Sequence, residues 1–167
     1  EHAHSTGGYR ERREACERGA AAFDVSSLRD LTVDDLARAE EILDDVTFRR
    51  VRHVITENQR VLDTVAALDA DGPSAIGELL VASHASMRDD FEISVPELDL
   101  AVETTLASGA LGARMTGGGF GGAAIALIPS GLVPAATEAV LAAFASSGFR
   151  TPNIFTVTPS EGARRDA

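Results

Sequence analysis

The run Gly112-Ala113-Arg114-Met115-Thr116-Gly117-Gly118-Gly119-Phe120-Gly121-Gly122 decides how this chain is read. Leu111 to Thr116 and Ala123 to Ile128 have strand-like composition, so the glycines sit between two predicted strands. Numerically, Gly117, Gly119 and Gly122 satisfy G-x-G-x-x-G. The context does not fit a dinucleotide site, because that fingerprint leads into a helix and this one leads into a strand. No Gly-Lys-Ser/Thr follows, so it is not a Walker loop. A hairpin turn needs one or two glycines, whereas positions 117–122 hold five. Each ordered glycine costs roughly 0.5–1 kcal/mol relative to alanine, so five cost roughly 2–4 kcal/mol of a domain's net stability. The composition therefore predicts a loop whose backbone is closely approached, by a ligand or by another ligand-binding loop.

Upstream of this loop the pattern is helical. Tyr9 to Ala22 carries Glu/Arg pairs at helical spacing, after a loop-like opening from Glu1 to Gly8. Thr32 has Asp35 three residues on, and Leu31 and Leu36 sit at staple positions, which predicts a helix to about Leu43. From Thr47 to Leu68 an apolar stripe runs through Val51, Val54, Ile55, Val61, Leu62, Val65 and Leu68. Asn58 falls on that stripe and is expected to be hydrogen-bonded in the core, as is Ser83. Asp71-Gly72-Pro73 stops the helix, and Ser74 is the expected cap of the next, which turns Ile76, Leu79, Leu80, Met87 and Phe91 inward. Ile93-Ser94-Val95-Pro96-Glu97-Leu98 predicts a further start, with Ser94 as cap and Ile93 stapled to Leu98. Downstream, Gly131 to Phe144 reads as a helix and Ile154 to Thr158 as a last strand. This order predicts a single α+β domain over 1–167 with an antiparallel sheet.

The bulk composition narrows the partners. A net charge of −11 argues against nucleic acid and against an anionic membrane surface. No apolar run is long enough to span a bilayer and no signal peptide is expected, so a cytoplasmic location is anticipated. All 15 cationic side chains are arginine, which removes every lysine-based phosphate site or catalyst. Cys16 is the only cysteine, which excludes an internal disulfide or a Cys-rich zinc site. His2 and His4 have no acidic or thiol set nearby, so no metal site is expected. Asp89 and Asp90 are expected to cap a turn or pair with Arg88 rather than to catalyse, and Arg114 to be solvated.

The 112–122 run resembles the third signature motif of the GHMP small-molecule kinases, and its Arg-Met-Thr lead with Phe120 among the glycines is similar to the galactokinase branch. Gly7 to Cys16 looks like that family's Tyr-x-x-Arg-Arg-x-x-Cys segment. Arg50 to Arg60 and His84 to Asp99 resemble its helices. Ala123 departs from relatives with cysteine or serine there.

The resemblance implies a GHMP kinase C-terminal, ferredoxin-like domain that lacks its first strand, with the ATP-binding half of a longer protein absent. A hairpin over 111–128 should then stand apart from a poorly paired strand near 154–158, with an exposed apolar slot between them. The implied reaction is ATP-dependent phosphorylation of the C1 hydroxyl of galactose by a monomeric enzyme. ATP and Mg²⁺ would be held mainly by the missing half. Tyr9 is the implied substrate-binding residue. Thr116, Gly117, Gly118 and Gly119 are the implied active-site loop, packing against the ATP loop of that half. No catalytic residue is expected in this chain. An N-acetylgalactosamine kinase or a non-catalytic galactokinase-like sensor would share these features, whereas the Tyr9 segment speaks against a mevalonate or homoserine kinase.

Overall fold

The structure is a computed structural model that describes residues 6–159, 161, 162 and 165. His2, His4 and Arg164 lie outside the described residues. Helix α1 (Thr6–Ala22) begins earlier than expected, with Gly7 and Gly8 inside it. Burial outweighs local propensity here: Arg12, Ala15, Gly19 and Ala20 form an inward face. Gly19 lets α1 approach helix α3 (Asp45–Asp71), since a Cβ there would sit 2.3 Å from Val51 Cγ2.

Asp44 caps α3, its carboxylate accepting the Thr47 N–H at 3.0 Å and the Thr47 hydroxyl at 2.7 Å. Thr32 and Asp35 do form a capping box, but it closes a single 3₁₀ turn that leads into α2 (Leu36–Ile42). One core cluster follows from this packing, with Ala20, Leu28, Leu31, Ala39, Phe48, Val51 and Ile55. The second half of the predicted α3 stripe is not core. Val61, Leu62, Val65 and Leu68 are 62, 64, 53 and 40% exposed. Asn58 is only half-buried, while Ser83 is buried and donates to Glu57 at 2.7 Å.

Helix α4 (Gly77–Asp89) follows a 3₁₀ turn, Pro73–Ile76, and Ser74 does not cap it; Ile76 occupies the cap position with no side-chain bond. Helix α5 (Pro96–Ala107) has Val95 at its cap. The Ser94 hydroxyl instead donates to Asp99 at 2.6 Å. Ile93 and Leu98 are both buried, in a second cluster with Met87 and Met115.

Strands β1 (Gly112–Thr116) and β2 (Ala123–Leu127) pair antiparallel, from Gly112 opposite Leu127 to Thr116 opposite Ala123. The free edge of β1 is held by α4. His84 Nδ1 accepts the Met115 N–H at 3.2 Å, and Gly77 meets Gly112 so closely that a Cβ on Gly112 would lie 2.2 Å from the Gly77 carbonyl oxygen. Helix α6 (Val133–Ser146) packs on α5 through its buried Ala136, Val140 and Phe144, and Leu141 stays exposed.

The fold is α+β as expected, and among the described residues the sheet has two strands. Residues 154–158 form no strand. Ile154, Phe155 and Val157 are 40, 72 and 75% exposed, and a β-rich run without a ladder partner has nothing to hold it extended.

Candidate functional site

Tyr9 lies in the first turns of α1, half exposed, at the turn between the two strands. Its ring stands edge-on to Phe120 at 5.2 Å, and its hydroxyl makes a long 3.4 Å hydrogen bond to the Gly119 carbonyl. The close approach that the glycine count implied is therefore made within the chain. A Cβ on Gly118 would lie 2.8 Å from Tyr9 Oη. A Cβ on Gly119 would lie 2.6 Å from Ile93 Cβ and 2.7 Å from its carbonyl oxygen, and Gly119 also has φ of +86°. Gly117, with φ of +88°, has open space around it. Thr116 is half-buried at the end of β1, opposite Ala123. Phe120 itself is left-handed, φ +59°, and its N–H donates to the Ile93 carbonyl at 2.7 Å.

Sequence reading missed what supports this loop. The segment 89–93 presents five successive carbonyls, and each accepts a hydrogen bond from another element. Arg49 donates to Asp89 O at 3.1 Å, Arg50 to Asp90 O at 2.5 Å, and Arg12 to Phe91 O at 2.5 Å and Glu92 O at 2.8 Å. The fifth, Ile93 O, takes the glycine loop through the Phe120 N–H. The Glu92 carboxylate bridges Arg49 and Arg50, each at 2.5 Å. Hydrogen bonds from Arg49 and Arg50 hold the Glu92 carboxyl down at about 2. The only signal for this in the sequence was the adjacency of arginine pairs and acidic residues in two predicted helices.

Other charged residues of α3, α4 and β1 are held in pairs within the chain. Asp89 pairs with Arg88 at 2.8 Å, as expected, while Asp90 pairs with Arg52. Arg114 is only partly solvated, 28% exposed: it reaches Met87 Sδ at 3.5 Å and lies 3.8 Å from Glu57. His84, which accepts from Met115 through Nδ1, faces Asp99 with Nε2 at 3.2 Å. Burial pushes its pKa down. His53 is stacked on Phe91 at 4.4 Å and bonded to Ser86 at 3.0 Å, and burial pushes it down to about 4.

The sequence matches the family described as GHMP kinases C terminal over residues 64–146. Across 98% of the chain it is 55% identical to a galactokinase of Streptomyces coelicolor. The chain belongs to the GHMP kinases. A galactokinase of Mycobacterium tuberculosis is 48% identical over 97% of this GHMP kinase chain. The crystal structure of Lactococcus lactis galactokinase complexed with galactose superposes with a TM-score of 0.79 at 39% identity, covering 89% of this chain and 40% of that one. The chain spans 43% and 45% of the length of the two curated relatives. In this GHMP kinase domain, then, the motif glycines and the Tyr9 helix meet, and the arginine-lined 89–93 segment lies beneath them.

Proposed function

We propose that the protein carrying this chain is a galactokinase, which transfers the terminal phosphoryl group of ATP to the C1 hydroxyl of α-D-galactose. The C1 oxygen bonds to the γ-phosphorus, the β–γ bridging bond breaks, ADP leaves, and the hydroxyl proton passes to a base outside this chain. The observation that carries the reading is Tyr9, half exposed and set in place by Phe120 and the Gly118–Gly119 backbone. Its phenol can hydrogen-bond a sugar hydroxyl while its ring offers an apolar face. The glycine loop forms the adjoining wall, with Gly117 left open to a further backbone. The similarity to galactokinases over nearly the whole chain, one of them solved with galactose, supports the same reading. ATP and Mg²⁺ are proposed to be held mainly by the part of the protein outside this chain, where the metal would offset charge on the transferred phosphoryl group. The enzyme is proposed to be monomeric and cytoplasmic.

The test is ADP release by the complete protein with galactose, N-acetylgalactosamine, glucose and mevalonate. Turnover with galactose well above the other three is expected, and none is expected from residues 1–167 alone. Preference for another acceptor, or binding of galactose and ATP without turnover, would refute the proposal.

A further inference from the structure

The five-carbonyl row at 89–93 is held from outside at every position, by α1, by α3 and by the glycine loop. Two features make Glu92 its centre. Its backbone is left-handed, φ +52°, where a side chain is disfavoured and glycine would be relaxed. What the glutamate contributes in return is a bridge between two arginines, one of which, Arg50, is 2% exposed and needs a counter-charge. The next nearest carboxylate to Arg50 is that of Glu11, at 3.9 Å and 59% exposed. Arg12 carries the connection onward. It bonds the row, lies 4.0 Å from the Glu92 carboxylate, and places its guanidinium 5.6 Å from the Phe120 ring centre. Tyr9 and Arg12 are three residues apart on one face of α1, so the two flank the same phenylalanine.

We infer that Glu92 is a positioning residue for this site: its carboxylate fixes the arginines that align the 89–93 carbonyls, and through Ile93 that row sets the glycine loop beneath Tyr9. Glu92 touches neither Tyr9 nor the loop directly; it acts through Arg49 and Arg50, and through the backbone carbonyls that Arg12 also bonds. The inference rests on the galactokinase reading for its kinetic consequence but not for its structural one.

The test uses the complete protein with Glu92→Gln and Glu92→Gly. The first keeps size and removes charge; the second also relaxes the backbone and so separates the carboxylate from the strain. Both are expected to lower kcat/KM for galactose at least tenfold, with the ATP KM within twofold. Amide exchange in a peptide spanning 117–122 should quicken more than in peptides of α5 or α6. Unchanged exchange in that peptide in both variants would overturn the inference, as would faster exchange spread evenly over the whole domain. Should both variants fail to fold, Arg49→Gln removes one arm of the bridge from its more exposed side and is expected to quicken exchange at 117–122. Absence of that effect would overturn the inference equally. If the wild-type protein does not phosphorylate galactose, the functional reading fails, and the exchange measurement still decides the role of Glu92.

Discussion

Gly118 and Gly119 are neighbours, yet alanine should act at them in opposite ways. A Cβ on Gly119 meets backbone, 2.7 Å from the Ile93 carbonyl oxygen, and its φ of +86° is a conformation L-residues resist. The conformational cost is about 1–2 kcal/mol. Overpacking against atoms that cannot rotate away adds about 1–3 kcal/mol. The smaller entropy of the unfolded alanine chain offsets about 0.4–1 kcal/mol. Gly119→Ala should therefore lower stability by roughly 1–4 kcal/mol. At Gly118 φ lies outside the left-handed range, and the nearest atom is Tyr9 Oη, at 2.8 Å. That is the far end of a side chain that can swing aside, so Gly118→Ala should cost little stability. It should move the Tyr9 hydroxyl off the sugar. The assay is denaturant unfolding and steady-state galactose kinetics on the same preparations of the complete protein. Gly118→Ala should raise the galactose KM severalfold at near wild-type stability, and Gly119→Ala should shift the unfolding transition. Equal destabilisation by the two, or an unchanged galactose KM in Gly118→Ala, would refute the assignment of their contacts.

Tyr9→Phe should lower kcat/KM for galactose roughly fivefold, the equivalent of about 1 kcal/mol for one lost hydrogen bond, and leave the ATP KM unmoved; an unchanged galactose kcat/KM would remove Tyr9 from the site. Gly77→Ala should cost about 1–3 kcal/mol, since its Cβ would lie 2.2 Å from the Leu111 carbonyl oxygen and backbone must shift to admit it; a thermal midpoint equal to wild type would contradict the close packing of α4 on β1. The buried His53 has its pKa lowered from 6.5 to about 4, so between these values the unfolded chain binds a proton that the folded chain refuses. Its contribution is complete above pH 6.5 and is lost as pH falls toward 4, by about 3 kcal/mol at most. Unfolding measured across that window should show a shallower slope in His53→Gln, and an identical slope would place the titration elsewhere.

The elements legible in the sequence were those whose signal is local. The hairpin followed from two β-rich runs around glycine, and α3 from a period that any amphipathic helix shows. Caps were read less well because they depend on what else a hydroxyl can reach. Ser94 is drawn to Asp99, a residue that also faces His84, and leaves the cap position to Val95. Periodicity identifies an apolar face but not its partner. Hence Val51 and Ile55 are core, while Val61 and Val65 on the same helix are exposed. Ile154 to Thr158 has the composition of a strand, but strands are stabilised by cross-strand neighbours, and a sequence run cannot supply its own.

The crowding of the glycine loop was legible in kind and not in arrangement. Five glycines do mean that something approaches this backbone, but composition assigns all five to one visitor. The structure divides them. Gly118 makes room for Tyr9 and Gly119 for Ile93 together with a left-handed turn, while Gly117 has a left-handed φ and a Cβ there would meet nothing within 4 Å. The phenol and the carbonyl it meets are 110 residues apart, so no spacing rule links them. The arginines under the loop were hidden for the same reason. Arg12, Arg49 and Arg50 sit in helices rich in ordinary surface pairs, and only the left-handed turn at Glu92 brings four consecutive carbonyls to face them. A loop braced in this way from α1 and α3 keeps the spacing between Tyr9 and the glycine wall independent of the rest of the sheet. The contact between Tyr9 and the glycine loop can therefore form in a domain whose sheet, among the described residues, has only two strands.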